Sequence, residues 1–328
     1  MKKEFLTAAH STTIDKIKSY YGWWKSRKYD GFSAVWDGGL SRGKRANEVP
    51  WYKKRNIDVD NPICTGLWTR KNHIIYAPDF FLNELPMYMP VQGEIWYNDD
   101  RAVAAVCNCK DCNDDRWYIA KLMTYNLKPY CFWEDYEELI DDDFVPAWVV
   151  NSTLAYRLSC VKEYIKISKS KSMVLALQEE IDWKSIDKML NDWEENVNKG
   201  NWEGYIFANP LAEYAPYRTN SLLKVKPLYD TEVRIIGYND GEGRHVGRLG
   251  SLKVQKMWRD EVETFHGGNK NMVGETVFFN VGGGFSDEER DYTYVKKHYP
   301  IGGYLTINFN EVGSNGSIPS ARKANQIT

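Results

Sequence analysis

The chain has 328 residues, with 43% hydrophobic, 14% aromatic and 27% charged side chains. That is enough for about two domains with real cores, and it excludes both an extensively disordered chain and a small scaffold held by staples. The formal net charge is -2, and residues 231–328 are neutral with 12 Lys+Arg against 12 Asp+Glu, so no basic tail advertises nucleic acid; any such contact comes from locally arranged Lys and Arg. Met1-Lys2-Lys3 is followed by an apolar stretch, Phe5 to Ala9, shorter than the h-region of a secretory signal, which predicts a protein that works inside a cell. An aromatic stretch from Tyr20 to Trp24 and an apolar run from Phe32 to Trp36 then flank Lys28-Tyr29-Asp30-Gly31, which is expected at a strand end or in a tight loop. Val91-Gln92-Gly93-Glu94-Ile95-Trp96 reads as a strand.

Cys107-Asn108-Cys109-Lys110-Asp111-Cys112, with Cys131 beyond, has four thiols in reach of a zinc pattern, but the spacing is tighter than paired Cys-x-x-Cys knuckles. A Cys-rich surface loop of reduced thiols is the favoured reading. The apolar run at 144–150 is far below the roughly 20 residues that span a bilayer, so no membrane partner is expected. Ile186, Leu190, Trp193 and Val197 recur at helical spacing, with Ser185 as cap and Lys199-Gly200-Asn201 as stop. That helix leads into Glu203-Gly204-Tyr205-Ile206-Phe207, a predicted strand, and Leu222-Leu223-Lys224-Val225-Lys226 is another. Beyond a boundary near Asp230 the texture changes to alternating segments at 233–238, 251–254, 276–281 and 304–309, separated by Gly-rich turns. This predicts a small closed or nearly closed β barrel over 231–328, after an α+β domain with antiparallel sheets over 1–230.

Three groups of residues carry candidate chemistry. Lys28 suits a nucleophile, provided that neighbouring cations, a metal or desolvation bring its amine below the usual value of about 10.4. Lys224 and Lys226, two apart on one predicted strand, place like charges on one face, and an anionic phosphate would relieve them. Glu94 and Glu203, each in an apolar strand, are suited to a ribose hydroxyl and a divalent cation. His10, His73, His245, His266 and His298 are scattered without metal-ligand spacing, and the glycine runs at 241–243 and 282–284 do not stand between a strand and a helix as a phosphate cradle requires.

Taken in order, Lys28-Tyr29-Asp30-Gly31, Gln92-Gly93-Glu94-Ile95-Trp96, Lys121-Leu122-Met123-Thr124-Tyr125-Asn126, Glu203-Gly204-Tyr205-Ile206-Phe207 and Leu223-Lys224-Val225-Lys226 resemble motifs I, III, IIIa, IV and V of the covalent nucleotidyltransferases. The resemblance is strongest to minimal ATP-dependent DNA ligases of the bacteriophage type. It also takes in Trp36-Asp37-Gly38-Gly39, Arg248-Leu249-Gly250-Ser251-Leu252 and Gly283-Gly284-Phe285-Ser286-Asp287-Glu288-Glu289-Arg290. It implies a nucleotidyltransferase domain followed by an OB-fold domain, ATP as AMP donor, Mg2+, nicked duplex DNA as partner, and a monomer in the cytoplasm of a bacterial host. By resemblance, Lys28 forms the lysyl-adenylate and Asp30 assists the later steps. Arg70 contacts nucleotide or nick phosphate, Glu94 holds the ribose, Tyr125 stacks on adenine and Glu203 serves the metal, with Glu94 as a second candidate. Lys224 and Lys226 bind the α-phosphate, and Arg218 matches another basic nucleotide-site position. Arg42, Arg248, Arg322 and Lys323 are the implied DNA contacts.

The pattern also departs from the family. Ser33 stands where an Arg is usual, Arg27 where an acidic residue is usual, Gln92 in place of the motif III Asp, and Ala208-Asn209 where a basic residue follows motif IV. An RNA ligase or capping-type guanylyltransferase would keep the same core residues, and a catalytically inactive nucleic-acid-binding relative would keep the fold. The stretches at 249–252 and 285–290 favour the DNA ligase.

Overall fold

A computed structural model describes residues 9–97, 103–108, 113–129, 152–199 and 202–324. The chain forms two compact units, one of Met1–Ile186 with Gly204–Val225 and one of Asp187–Glu203 with Lys226–Thr328.

In chain order the first unit contains β1 (Ala9–Thr12), β2 (Trp24–Arg27), β3 (Phe32–Trp36), β4 (Leu67–Thr69), α1 (Asp79–Leu82), β5 (Val91–Trp96), α2 (Val103–Asn108), β6 (Lys121–Leu127), α3 (Leu154–Ser168), β7 (Met173–Leu175) and β8 (Glu179–Glu180). After α4 (Ile186–Asp192), which starts at the boundary between units, come β9 (Tyr205–Ala208) and β10 (Thr219–Val225). These strands make two five-stranded sheets, β1-β10-β9-β2-β8 and β4-β3-β5-β6-β7. Most pairs are antiparallel; β1 with β10 and β6 with β7 are parallel.

Alternation along β3 decides what each face of the second sheet buries. Ala34 and Trp36 point into the larger core with Leu67, Val91, Ile95, Leu122, Phe81 of α1, Cys107 of α2 and Val161 of α3. Val35 points the other way, into a smaller core with Trp51, Cys64, Trp68 and Ile74. Each large side chain so buried contributes roughly 1.5–3 kcal/mol. The long connection between β3 and β4 has little regular structure, so buried carboxylates organise its polar groups. Asp58 accepts from the Tyr76 hydroxyl at 3.0 Å, the Tyr52 hydroxyl at 3.2 Å and the Arg55 backbone N–H at 2.8 Å. Asp37 accepts from Trp68 Nε1 at 2.9 Å and from the Ser41 hydroxyl.

The predicted helix near 186–197 forms with a change of pitch. Ile186, Met189, Trp193 and Val197 are the buried positions, rather than Leu190, and residues Trp193–Val197 widen into a π turn closed by Asn198 N–H on Trp193 O. Just before the helix, the Asp182 carboxylate accepts from the Lys184 and Ser185 N–H groups. The stop signal at Gly200-Asn201 lies outside the described residues.

The second unit contains β11 (Tyr229–Asp240), β12 (Leu249–Met257), β13 (Thr276–Val281), α5 (Tyr292–His298), β14 (Tyr304–Phe309) and β15 (Arg322–Lys323). Its sheet runs β13-β12-β11-β14-β15 and encloses Val233, Ile235, Leu252, Val254, Trp258, Val281, Val295, Leu305 and Ile307. Among the described residues no ladder closes the sheet into the expected barrel. β15 has two residues, which leaves one parallel bridge between Arg322 and Gly283 to join it to the segment after β13. The predicted segments at 276–281 and 304–309 match β13 and β14, and those at 233–238 and 251–254 lie inside β11 and β12. Among the described residues, no helix is long and apolar enough to cross a membrane.

Candidate active site

Lys28 lies where the chain leaves the first sheet and enters the second. β2 ends at Arg27 and β3 starts at Phe32, so residues 28–31 form a four-residue crossing between two rigid sheets. Both ends of the crossing are pinned. The Lys28 backbone N–H donates to Gly204 O at 2.8 Å, extending the β2–β9 ladder by one bond. At the other end Gly31 packs so tightly on β5 that a Cβ there would strike the Ile95 carbonyl and come within 2.7 Å of Glu94 Cγ. Only a residue without a side chain permits that approach. Lys28 and Asp30 are half-buried.

The flanking residues form a cation–aromatic cluster. The Arg27 guanidinium lies 5.4 Å from the Tyr29 ring centroid and 5.5 Å from that of Trp96, and the two rings meet edge to face at 5.2 Å. Arg27, a departure from the family pattern, thereby ties the crossing to the end of β5.

Glu94 stands on β5 opposite Ser33 of β3, and the Ser33 hydroxyl donates to Glu94 Oε2 at 3.0 Å. A second departure is thus a neutral donor that orients the carboxylate. A third behaves similarly: buried Gln92 donates through Nε2 to the Tyr214 hydroxyl at 2.8 Å, linking β5 to the segment between β9 and β10.

Tyr125 owes its placement to a β-bulge. Gln92 pairs with Asn126 and Gly93 with Thr124, which leaves Tyr125 as the extra residue on β6. Such a bulge re-aims one side chain out of the regular alternation. Burial pushes the Tyr125 phenol well above its ordinary value, Glu94 and Tyr214 push further, and Arg70, directly after β4, pulls the other way. These four side chains therefore share one electrostatic neighbourhood.

Sequence reasoning missed the support behind that bulge. Arg157 of α3 is buried and donates through Nε to Asn126 Oδ1 at 2.9 Å and through Nη1 to Ser152 O, with its guanidinium 5.8 Å from the Tyr214 ring centroid. Burial lowers its pKa to about 10, against the opposing pull of Tyr214 and Glu213. No local pattern marked it, since α3 also carries Lys162, Glu163 and Lys166.

Lys224 lies on β10 in one row with Ile206 of β9 and Ser26 of β2. The face of that row is packed at its far end by Trp24, Ala208 and Leu222 against Leu154 and Leu158 of α3. β10 stops at Val225, one residue before Lys226, so the strand is shorter at this end than the sequence predicts. Similarly β9 begins at Tyr205, and Glu203 precedes the strand. In both places charge pairing replaces the ladder: within the second unit, Lys226 Nζ lies 2.6 Å from Glu203 Oε1 and 3.3 Å from Glu311 Oε2. Burial lowers the Lys226 pKa, but Glu203 and Glu311 more than offset it and hold the amine above its ordinary value.

The remaining candidate nucleotide and DNA contacts fall in different settings. Arg42 pairs with Asp79 at 2.7 Å. Arg70, Arg218, Arg248 and Arg322 are exposed, and Lys323 pairs with Glu289 at 2.8 Å beside Phe285, Ser286 and Tyr294 in a cleft of the second unit. Cys107 is buried in the first core, where desolvation raises its thiol, so it is no part of a surface loop; Cys109, Cys112 and Cys131 lie outside the described residues. Among the described residues, no three His, Cys, Asp or Glu side chains gather as a metal cage.

No protein-family model matches the chain. A DNA ligase of Haemophilus influenzae is 21% identical over 296 residues, covering 90% of this chain and 83% of that one. A structure from a study of Lig E DNA ligases, described there as binding DNA with a minimal scaffold, is similar with a TM-score of 0.66 at 21% identity over 97% of both chains. The structure of Pmar-Lig_PreS3 gives 0.67 at 18% identity over 97% of this chain and 66% of that one. At these identities the structural likeness is one of fold.

Proposed function

We propose that this chain, a DNA ligase of the minimal ATP-dependent type, seals nicks between a 3′-hydroxyl and a 5′-phosphate in duplex DNA. What supports the ligase reading is the likeness in sequence to the Haemophilus influenzae enzyme, with a fold like that of the Lig E structure. The observation that carries the mechanism is the pinned crossing at 28–31, which supports Lys28 as the nucleophile beside the neutrally hydrogen-bonded Glu94.

In the first step the Lys28 amine, once deprotonated, attacks the α-phosphate of ATP. An N–P bond forms, the bond to the β-phosphate oxygen breaks, and pyrophosphate leaves. AMP then passes to the 5′-phosphate of the nick and releases Lys28. Finally the 3′-hydroxyl attacks that phosphate, AMP leaves, and the backbone is closed. Glu94 holds the ribose, Tyr125 offers its ring to adenine, Asp30 serves the later steps, and Arg70 and Arg218 serve the nucleotide site. Lys224 and Lys226 balance the α-phosphate charge.

Magnesium is held through one or two carboxylates together with substrate phosphates, a donor set that buried Glu203 fits and to which Glu94 is a second candidate. When bound, it neutralises phosphate charge. Residues 1–230 act as the nucleotidyltransferase domain and 231–328 as an OB-fold domain that, with Arg42, Arg248, Arg322 and Lys323, engages DNA. The protein acts as a monomer in the cytoplasm, that of a bacterial host cell if the chain is viral, with DNA replication, repair or recombination as the setting.

The test is a singly nicked duplex incubated with the protein, ATP and magnesium, beside the same nick in RNA. Joined DNA is expected, with affinity for the nick that falls steeply as salt rises. Joining of the RNA nick alone, or of neither, contradicts the proposal.

A further inference from the structure

Glu311 stands just past β14, and nothing in the amino-acid sequence marks it. Its position follows from register. The β11–β14 ladder pairs Tyr229 with Phe309, and carrying that pairing outward by two residues sets Glu311 opposite Pro227, the neighbour of Lys226. Two hydrogen bonds fix the turn on either side: Asn310 Nδ2 donates to Pro227 O at 2.6 Å, and the Val312 N–H donates to His266 O at 2.8 Å.

Glu311 Oε2 lies 3.3 Å from Lys226 Nζ, whose other partner, Glu203 Oε1, is at 2.6 Å. An ammonium has three donors. Two of them are thus committed to carboxylates, and the cluster of one cation with two anions repels an approaching phosphate. Side-chain exposures of 20% for Lys226, 6% for Glu203 and 29% for Glu311 leave the pairs only partly screened by water.

We propose that Glu311 is a positioning residue that withholds Lys226 from the nucleotide, competing with the phosphate of ATP for the same ammonium. The inference rests on Lys226 being a phosphate ligand, as set out above. Glu203 is needed by that mechanism, whereas Glu311 is not, so removing Glu311 alone releases one of the two committed donors and leaves the Glu203 pair in place.

The experiment follows transfer of labelled AMP from ATP to the protein, over a range of ATP concentration, in the wild type, Glu311→Gln and Glu311→Asp. Glu311→Gln is expected to lower KM for ATP about fivefold, which converts to roughly 1 kcal/mol, with kcat changed by less than about twofold. Glu311→Asp restores the wild-type KM, and the difference between wild type and Glu311→Gln shrinks as salt is raised. An unchanged or higher KM in Glu311→Gln, or a fall in kcat alone, overturns the proposal. Equilibrium ATP binding in a Lys28→Ala background, where no label forms, separates this inference from the reading it rests on. There Glu311→Gln tightens binding about fivefold even if the wild type fails to label. Unchanged binding sinks the inference even if labelling succeeds.

Discussion

The surroundings of Glu94 and of Lys226 solve a similar problem in opposite ways. Glu94 is oriented by a neutral hydroxyl, Ser33, and its neighbourhood is braced by an amide, Gln92, and a phenol, Tyr214. Lys226 is oriented by two full charges, Glu203 and Glu311. The first arrangement includes a neutral donor that orients the carboxylate. The second stores a cation against anions that must give way before it can act. Neutral hydrogen bonds are short-ranged and insensitive to salt, whereas ion pairs weaken as salt rises. The two sites should therefore respond differently to the same ionic conditions.

Gly31→Ala should break the first region most severely. The new Cβ meets the Ile95 carbonyl and Glu94 Cγ, so β5 or the crossing must shift, costing about 1–3 kcal/mol of stability and misplacing Lys28. Thermal melting with an adenylation assay checks this; a variant with wild-type melting and label would show that the crossing is not pinned there.

A comparable effect follows from Asp37. Burial pushes its pKa up from 3.8 to about 6, against the opposing hydrogen bonds from Ser41 and Trp68. Between those values the folded chain binds more protons than the unfolded one, so stability falls as pH rises from about 4 to about 6 and then levels off. At 1.36 kcal/mol per pH unit the wild type should lose about 3 kcal/mol relative to Asp37→Asn across that window. Denaturant titrations of both proteins at several pH values measure it, and parallel curves would contradict the shift.

Ser33→Ala should slow adenylation by about three- to tenfold, as expected for one lost hydrogen bond of roughly 1 kcal/mol to a half-buried carboxylate. Unlike the Glu311→Gln effect, it should persist at high salt, and a salt-dependent loss would erase the contrast between the two regions. The smallest effect is that of Asp79→Asn. Its exposed pair with Arg42 is worth no more than about 0.5 kcal/mol, so melting should not move. A drop of several degrees would make that pair structural.

Much of this was legible beforehand because local chemistry and fold agree. The alternations at 276–281 and 304–309 match β13 and β14, and 91–96 matches β5, since period-2 apolar residues bounded by turns leave little choice. The ends of β9 and β10 were misread by one or two residues, because Glu203 and Lys226 look like strand positions until their mutual pairing is known. The extra residue at Tyr125 could not be read from β6 alone, since a bulge exists only relative to the partner strand. Gln92 and Ser33 looked like missing charges, and only the contacts of Tyr214 and Glu94 show what they do. Arg157 and Glu311 act across 31 and 85 positions of sequence, beyond the reach of any local pattern.

The central claim is that Lys28 is the nucleophile, and the most direct measurement is covalent labelling. The wild type and Lys28→Ala are incubated with magnesium and ATP labelled at the α-phosphate, beside GTP and NAD, and the intact chains are examined for bound label. The account predicts label from ATP on the wild type and none on Lys28→Ala. Label that persists on Lys28→Ala, or that comes only from GTP or NAD, would contradict it.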